Sequence, residues 1–292
     1  MDGQVGLAAA RAGRALKRVA LGNTMAIAPS AFSPAQGTRA PWHGALAGGL
    51  FGLGVALFFF APAHWLAAHL GQASGGRLRL SDAQGTVWAG SGQLSLHGGQ
   101  GSNDASVLPG RVQWRLIPAL GALDLELRAD CCTPEGLKIR IEPSWSGARL
   151  QLADRQSHWS AQWLAGLGTP WNTIRPEGQL LLQSSGFVVQ WDAGRWSWKG
   201  ALQIDALDMA SRLSTVRPMG SYRLRLQEGS ASQLQLSTLQ GGLQLQGSGQ
   251  WTGSKWRFEG EASAAPEREE ALTNLLNIIG QRRGARSIIK LG

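Results

Sequence analysis

Cysteine is nearly absent from this chain of 292 residues, which holds only the neighbours Cys131 and Cys132. Two adjacent cysteines cannot staple a domain of this size, and no metal-ligand spacing surrounds them. Their state stays open between free thiols at a strand end, a bridge between the neighbours and an intermolecular bridge. Tyrosine occurs once and histidine five times. His64 and His69 are five positions apart, hence on different helix faces, while His97 and His158 stand alone. Interface or surface roles fit them better than metal ligation. No His-Glu-x-x-His, Gly-x-Ser-x-Gly, phosphate-cradling loop or dinucleotide fingerprint occurs. Asp124 and Glu126 fall two apart on one strand, on a polar face shared with Arg128. A solvated row of this kind does not push two carboxyl pKa values apart, as acid–base work requires. The sequence therefore points away from an enzyme and offers no catalytic residue, cofactor or metal site.

Acidic residues are also in deficit, 19 against 28 lysines and arginines, for a formal charge of +9. Beyond the first quarter of the chain the basic residues are scattered singly along strands. No basic patch of the kind that holds nucleic acid results. Charge is missing altogether from Gly44 to Ala63, GALAGGLFGLGVALFFFAPA. At about 1.5 Å per residue these twenty positions reach roughly 30 Å, the hydrocarbon thickness of a bilayer. Trp42 and Trp65 flank the run as interface anchors. One transmembrane helix over 44–63 is predicted. Gly44, Gly48, Gly52 and Ala56 recur every four residues and share one face, where another helix, from a second copy or another membrane protein, can approach closely.

Residues 1–43 form a basic tail, disordered or partly an amphipathic helix over 7–21, with Arg11, Arg14, Lys17, Arg18 and Arg39 against Asp2. Basic residues ahead of a first span keep that side cytoplasmic and send the remainder across the membrane, into the periplasm where a cell has two membranes. A cleaved signal peptide ending at Ala61-Pro62-Ala63 competes, but the apolar run and the segment before it are both too long for one. Met25 is an alternative start to Met1.

After a connector at 64–76 the pattern turns to period two. Arg77–Leu80, Gln93–Leu96, Val112–Leu116, Leu123–Leu127, Leu137–Ile141 and Ala148–Leu152 alternate apolar with polar residues. The series continues through Leu180–Leu182, Phe187–Trp191, Trp196–Ile204, Tyr222–Leu226, Leu234–Leu236, Leu243–Leu245 and Lys255–Glu259. Short strands with one apolar face, separated by glycine-rich turns, predict an antiparallel sheet that buries one side. Two helices interrupt it. Ser157 is the expected cap of one that carries Trp159, Trp163, Leu164 and Leu167 and stops at Gly168. The other follows Pro266, with Glu267, Glu269 and Glu270 at its positive end, an apolar stripe of Leu272, Leu275, Leu276 and Ile279, and Gly280 at its close. The fold class expected is mainly β: a single N-terminal transmembrane helix, then a curved antiparallel sheet with one or two packing helices over 77–292.

The turn Gly85-Thr86-Val87-Trp88-Ala89-Gly90 has the form Gly-Thr-hydrophobic-Trp-x-Gly soon after a lone span. With Trp114–Pro118, Gly168–Gly178 and the closing helix from Pro266 to Gly280, it makes four blocks that resemble, in order, the type II secretion system protein N family. The resemblance covers roughly residues 42–292. It implies an inner-membrane-anchored periplasmic accessory of the machinery that exports folded proteins across the outer membrane, partnered by other secretion subunits. It implies no catalysis and no cofactor. Gly85 and Gly90 would serve the turn, with Thr86 between them, and Trp88 would plug the apolar side of the sheet. A second function of another class competes, in which the apolar sheet face forms an open groove for lipid acyl chains. Closure of the sheet face by the two helices argues for the first, an uncovered concavity for the second.

Overall fold

The computed structural model describes residues 42–99, 102–228, 233–251 and 255–291. The expected basic tail, its amphipathic segment and Met25 lie outside these residues. The apolar run forms helix α1, Trp42–Phe59, whose 18 residues are all exposed. It is long and apolar enough to cross a membrane. The helix stops four residues short of the expected Ala63, because Pro62 disfavours helical backbone at Ala61 and itself lacks an N–H. The expected connector is also largely helical: α2, Ala63–Ala73, starts directly after Pro62 and packs beside the first strand, with Leu66, Ala67 and Leu70 half-buried.

Sixteen strands follow among the described residues. The first eight are β1 Leu78–Gly85, β2 Ala89–His97, β3 Ala105–Val107, β4 Val112–Ala119, β5 Ala122–Ala129, β6 Thr133–Ser144, β7 Gly147–Leu152 and β8 Gln156–Ser160. Then come β9 Pro176–Asp192, β10 Arg195–Ser211, β11 Gly220–Gln227, β12 Gln233–Gly241, β13 Leu243–Trp251, β14 Trp256–Ala264, β15 Gln281–Arg283 and β16 Arg286–Leu291. Nearly all pair with the next in sequence, always antiparallel, in the order β1-β2-β4-β5-β6-β7-β9-β10-β11-β12-β13-β14-β16-β15. β3 pairs with β2 and β8 with β9. The sheet is not closed.

Register makes one face continuous. Leu116, Leu125, Ile139 and Leu152 lie in one cross-strand row, and Leu123, Ile141, Leu150 and Val189 in the next. Further along, Leu202, Leu226 and Leu234 align, as do Ile204, Leu224 and Leu236. The opposite face carries charge pairs such as Asp124 opposite Arg140 and Glu126 opposite Lys138. Alternation thus resolves into a greasy side and a solvated side, as period-two patterning requires.

Two of the strands are longer than their sequence suggests. Ser184-Ser185-Gly186 reads as a turn between two short strands but lies inside the seventeen-residue β9. Its register shifts there against β10, and Gly200 takes φ +76 with no room for a Cβ beside the Gly186 carbonyl. A β-bulge, which bends a strand without ending it, replaces the turn.

The helix expected from Ser157 is not formed. Residues 156–160 are β8, and Ser157 is buried beside the Trp159 indole, whose Nε1–H donates to its Oγ at 2.9 Å. Pairing with β9 overrides local helix patterning here, and only a 3-10 turn, Ala161–Leu167, follows. Ser160, not Ser157, caps that turn by accepting from the Gln162 N–H. The turn helps cover one small core of Leu108, Val112, Ala129 and Cys132 with Leu94, Leu127, Trp159 and Trp163 packed around it. The one-turn helix α3, Trp171–Ile174, that follows packs Ile174 against a second core, around Tyr222 and Leu243.

The second expected helix is present as a 3-10 turn at Pro266–Arg268 running into α4, Glu269–Ile279. Leu272, Leu275 and Leu276 are buried over Tyr222, Leu243, Ala262 and Met219. Gly280 ends α4 in extended backbone, where a side chain would strike the Ile288 carbonyl. β15 and β16, which the sequence reading did not include, return the chain to the sheet edge beneath the helix. The two cysteines are joined to each other in the β5–β6 turn, with Cys132 buried. Of the three alternatives open in the sequence, this is the bridge between the neighbours.

Candidate functional site

The turn between β1 and β2 does more than reverse the chain. Gly85 takes φ +91, and a side chain there would collide with the Ala89 carbonyl. Thr86 closes the turn: its N–H donates to the Ala89 carbonyl at 2.8 Å and its Oγ1 accepts from the Ala89 N–H at 3.1 Å. Gly90 lies against the ring of Trp114, which leaves no space for a Cβ. Trp114 is buried, and its Nε1–H donates to the carbonyls of Thr86 and Val87 at 3.2 and 3.1 Å.

From the other side the turn grips the end of α1. Trp88 Nε1–H donates to the Phe58 carbonyl at 2.7 Å, and the two rings meet edge-on at 4.8 Å. The Val87 N–H donates to the Ala61 carbonyl at 2.8 Å, and Pro62 bridges to Thr86. The last carbonyls of a helix have no partner of their own, and here the turn supplies one for Phe58. Trp88 is therefore not the plug of the sheet's apolar side; Trp114 holds that place, and Trp88 reaches outward to the apolar helix. A six-residue motif thus joins the span to the sheet through three hydrogen bonds or bridges and an aromatic contact.

The apolar face is covered unevenly. Around α4 it is sealed, whereas Leu123, Leu125, Ile139, Ile141 and Leu150 remain partly exposed. Trp198 on β10 and Trp251 on β13 touch with ring centroids 6.2 Å apart, although two strands lie between theirs. In a flat sheet that separation is about 14 Å, so the rings span the apolar face from either side.

The model of the type II secretion system (T2SS), protein N family matches residues 76–289, the whole sheet but its last residues. The chain belongs to this family. No curated protein and no solved structure gives a match. Membership makes the chain a component of type II secretion, in a family not known as catalytic, and implies interaction with other components of that system.

Within this family member the other singled-out residues distribute simply. Gly44, Gly48, Gly52 and Ala56 all lie on α1, and nothing comes within 4 Å of a Cβ built on any of the three glycines. Trp42 opens α1 and Trp65 stands on α2, both exposed. Asp124 and Glu126 have separate partners, Arg140 at 3.5 Å and Arg128 at 2.7 Å. The Arg128 hydrogen bond holds the Glu126 carboxyl below its ordinary pKa. No three His, Cys, Asp or Glu side chains converge as a metal site among the described residues. Among the described residues the most enclosed ion pair is Asp205 with Arg223, two-pronged at 2.7 Å on each side, and Gln203 adds a third hydrogen bond. Arg223 lowers the Asp205 pKa, chiefly through that hydrogen bond, against the opposing effect of burial. It ties β10 to β11 on the polar face and has no neighbour with which to do chemistry.

Sequence reasoning found the turn but not its partners. Trp114, Phe58 and Ala61 lie 24 or more residues from one end of the motif or the other in different elements, and nothing in their local pattern marks the contact. Pro62, which lies inside the predicted span 44–63, is the residue that ends α1 early and leaves Phe58 and Ala61 free to meet the turn.

Proposed function

We propose that the chain is a non-catalytic accessory of type II secretion, anchored in the inner membrane by α1, with its sheet in the periplasm supporting export of folded proteins across the outer membrane. The observation that carries this reading is the protein N match across the sheet. Three others support it. The span is clasped to the sheet by the Gly85–Gly90 turn, so a platform that holds α1 also orients the sheet. The basic residues ahead of α1 favour a cytoplasmic N-terminus. The Cys131–Cys132 bond suits an oxidising compartment.

The α1 face of Gly44, Gly48, Gly52 and Ala56 is the contact for a second membrane helix, from another secretion subunit or a second copy, because small residues allow close approach. Deleting the gene should trap exported substrates in the periplasm, at least in a strain sensitised by partial loss of another component. Unimpaired export in both strains overturns the reading. A lipid-handling role draws on the partly exposed stretch of apolar face, and normal export with altered outer-membrane permeability would favour it.

A further inference from the structure

Four successive hairpins turn on one edge of the sheet, and the membrane span is fastened to the first. That first turn carries Val87 and Trp88, bonded to Ala61 and Phe58. Beside it, Leu116 N–H on β4 donates to the Trp88 carbonyl at 2.7 Å, and β4 continues to a turn at Leu120 and Gly121. The β6–β7 turn follows at Trp145 and Ser146, closed by Ser144 opposite Gly147. The β9–β10 turn is next, with Trp191 opposite Trp196 immediately before and after it. Gly147 pairs with Asp192 and Ala148 with Trp191, so these two tips stand side by side.

The tips are apolar where loops are ordinarily polar. Leu120 is 103% exposed and Trp145 is 107% exposed, as bare as in an extended chain. Trp191 and Trp196 are both exposed, with their rings 6.1 Å apart. None of the four packs into a core. Arg195 and Lys199 follow the β9–β10 tip on β10 and make no ion pair among the described residues, while Asp192 is the one acid on that tip.

We propose that this edge seats in the headgroup layer of the bilayer that α1 crosses. Indole rings favour that layer, where the apolar body is buried and the N–H stays hydrated, and exposed Arg and Lys beside them suit anionic headgroups. Continuity with the span decides for lipid over a protein partner. The span already holds this edge at the membrane, so weak individual contacts act at high effective concentration. The side chains are also few, Leu120, Trp145 and the Trp191–Trp196 pair spread over three tips, short of the roughly twenty residues a side that a stable protein interface buries. Seated this way, the sheet is held at two places, by the clasp at β1–β2 and by the tryptophan tips. The proposal rests on α1 crossing a membrane and not on the secretion role.

The test uses the purified full chain in vesicles of phosphatidylethanolamine and phosphatidylglycerol, with lipid chains brominated near the headgroup or near the chain ends. Bromine quenches tryptophan emission on contact. Wild type is compared with Trp145→Ser and with the triple variant Trp145→Ser, Trp191→Ser, Trp196→Ser. The triple variant should lose headgroup-proximal quenching equal to about the share of three among the thirteen tryptophans, and Trp145→Ser about a third of that loss. Because Trp145 is fully exposed on a turn, its single variant keeps the fold even if the triple variant does not. An unchanged quenched fraction in Trp145→Ser overturns the proposal. So does a loss seen only with bromine near the chain ends. No secretion partner is present in these vesicles, so the outcome is independent of the gene-deletion result.

Discussion

The C-terminal third and the middle of the sheet are built from the same alternation and end in different states. Under α4 one cluster is sealed: the helix lays Leu272, Leu275 and Leu276 over Tyr222, Leu243 and Ala262, while Leu224, Leu226 and Leu234, farther from it, are only half-buried. On β5 to β7 the equivalent positions Leu123, Leu125, Ile139, Ile141 and Leu150 stay partly exposed. Covering therefore depends on what the chain does after a hairpin, not on the hairpin's own pattern. Where an amphipathic helix follows, its carbonyls are also secured. Ser287 Oγ donates to the Leu276 carbonyl at 2.6 Å and Ser214 Oγ to the Ala271 carbonyl at 3.2 Å. The middle of the sheet is instead followed by β8 and a short 3-10 turn that covers only one end of its strands.

The contrast is broken most directly at its sealed end. Leu276 is 0% exposed, and Leu276→Ala should cost about 3 kcal/mol, from lost burial plus the cavity left behind. Urea unfolding of the detergent-extracted chain, followed by circular dichroism, measures it. A next, smaller effect lies at the Asp205–Arg223 pair. Arg223→Ala strips the partner from a carboxylate that is only 6% exposed, at a cost of about 2 kcal/mol after allowing for the partial exposure of Arg223. The sign with pH follows from the depressed Asp205 pKa. The pair's contribution is whole above the ordinary aspartate value of about 4 and fades as pH falls through the lower folded value. Asp205→Asn should therefore flatten the acid side of the stability profile, and an identical acid slope in wild type and variant would remove the pair from the account.

Much of this architecture was legible beforehand. Leu123–Leu127, Ala148–Leu152 and Tyr222–Leu226 alternate cleanly, and each is a strand within two residues of its reading. The closing helix was legible because Pro266, three glutamates and the leucine stripe all point the same way. The errors share one cause. Ser157–Leu167 and Ser184–Gly186 were decided by partners distant in sequence, β9 for the former and the Gly186–Gly200 bulge for the latter, and local propensity carries no information about either. The same holds for the clasp. Gly85 and Thr86 announce a turn, but only the fold shows that Trp88 bonds to Phe58 while Trp114 fills the space beneath.

A finer probe of the sealed region is Tyr222, whose buried hydroxyl donates to the Leu243 carbonyl at 3.1 Å and whose phenol pKa is pushed upward by burial. Tyr222→Phe keeps the ring and leaves that carbonyl unpaired, for a loss of about 1.5 kcal/mol in the same urea measurement. The smallest effect is expected at the open stretch. Leu125→Ala removes a side chain that still meets solvent, so it forfeits only part of a leucine's burial, about 1 kcal/mol or less. The difference between Leu276→Ala and Leu125→Ala is the comparison in its sharpest form. If Leu125→Ala proved as costly as Leu276→Ala in detergent, this face would not be open at all, because a bare surface cannot supply that much burial. If the cost rose only when the chain was returned to vesicles, the cover would come from the membrane itself, which no strand or helix of this chain provides.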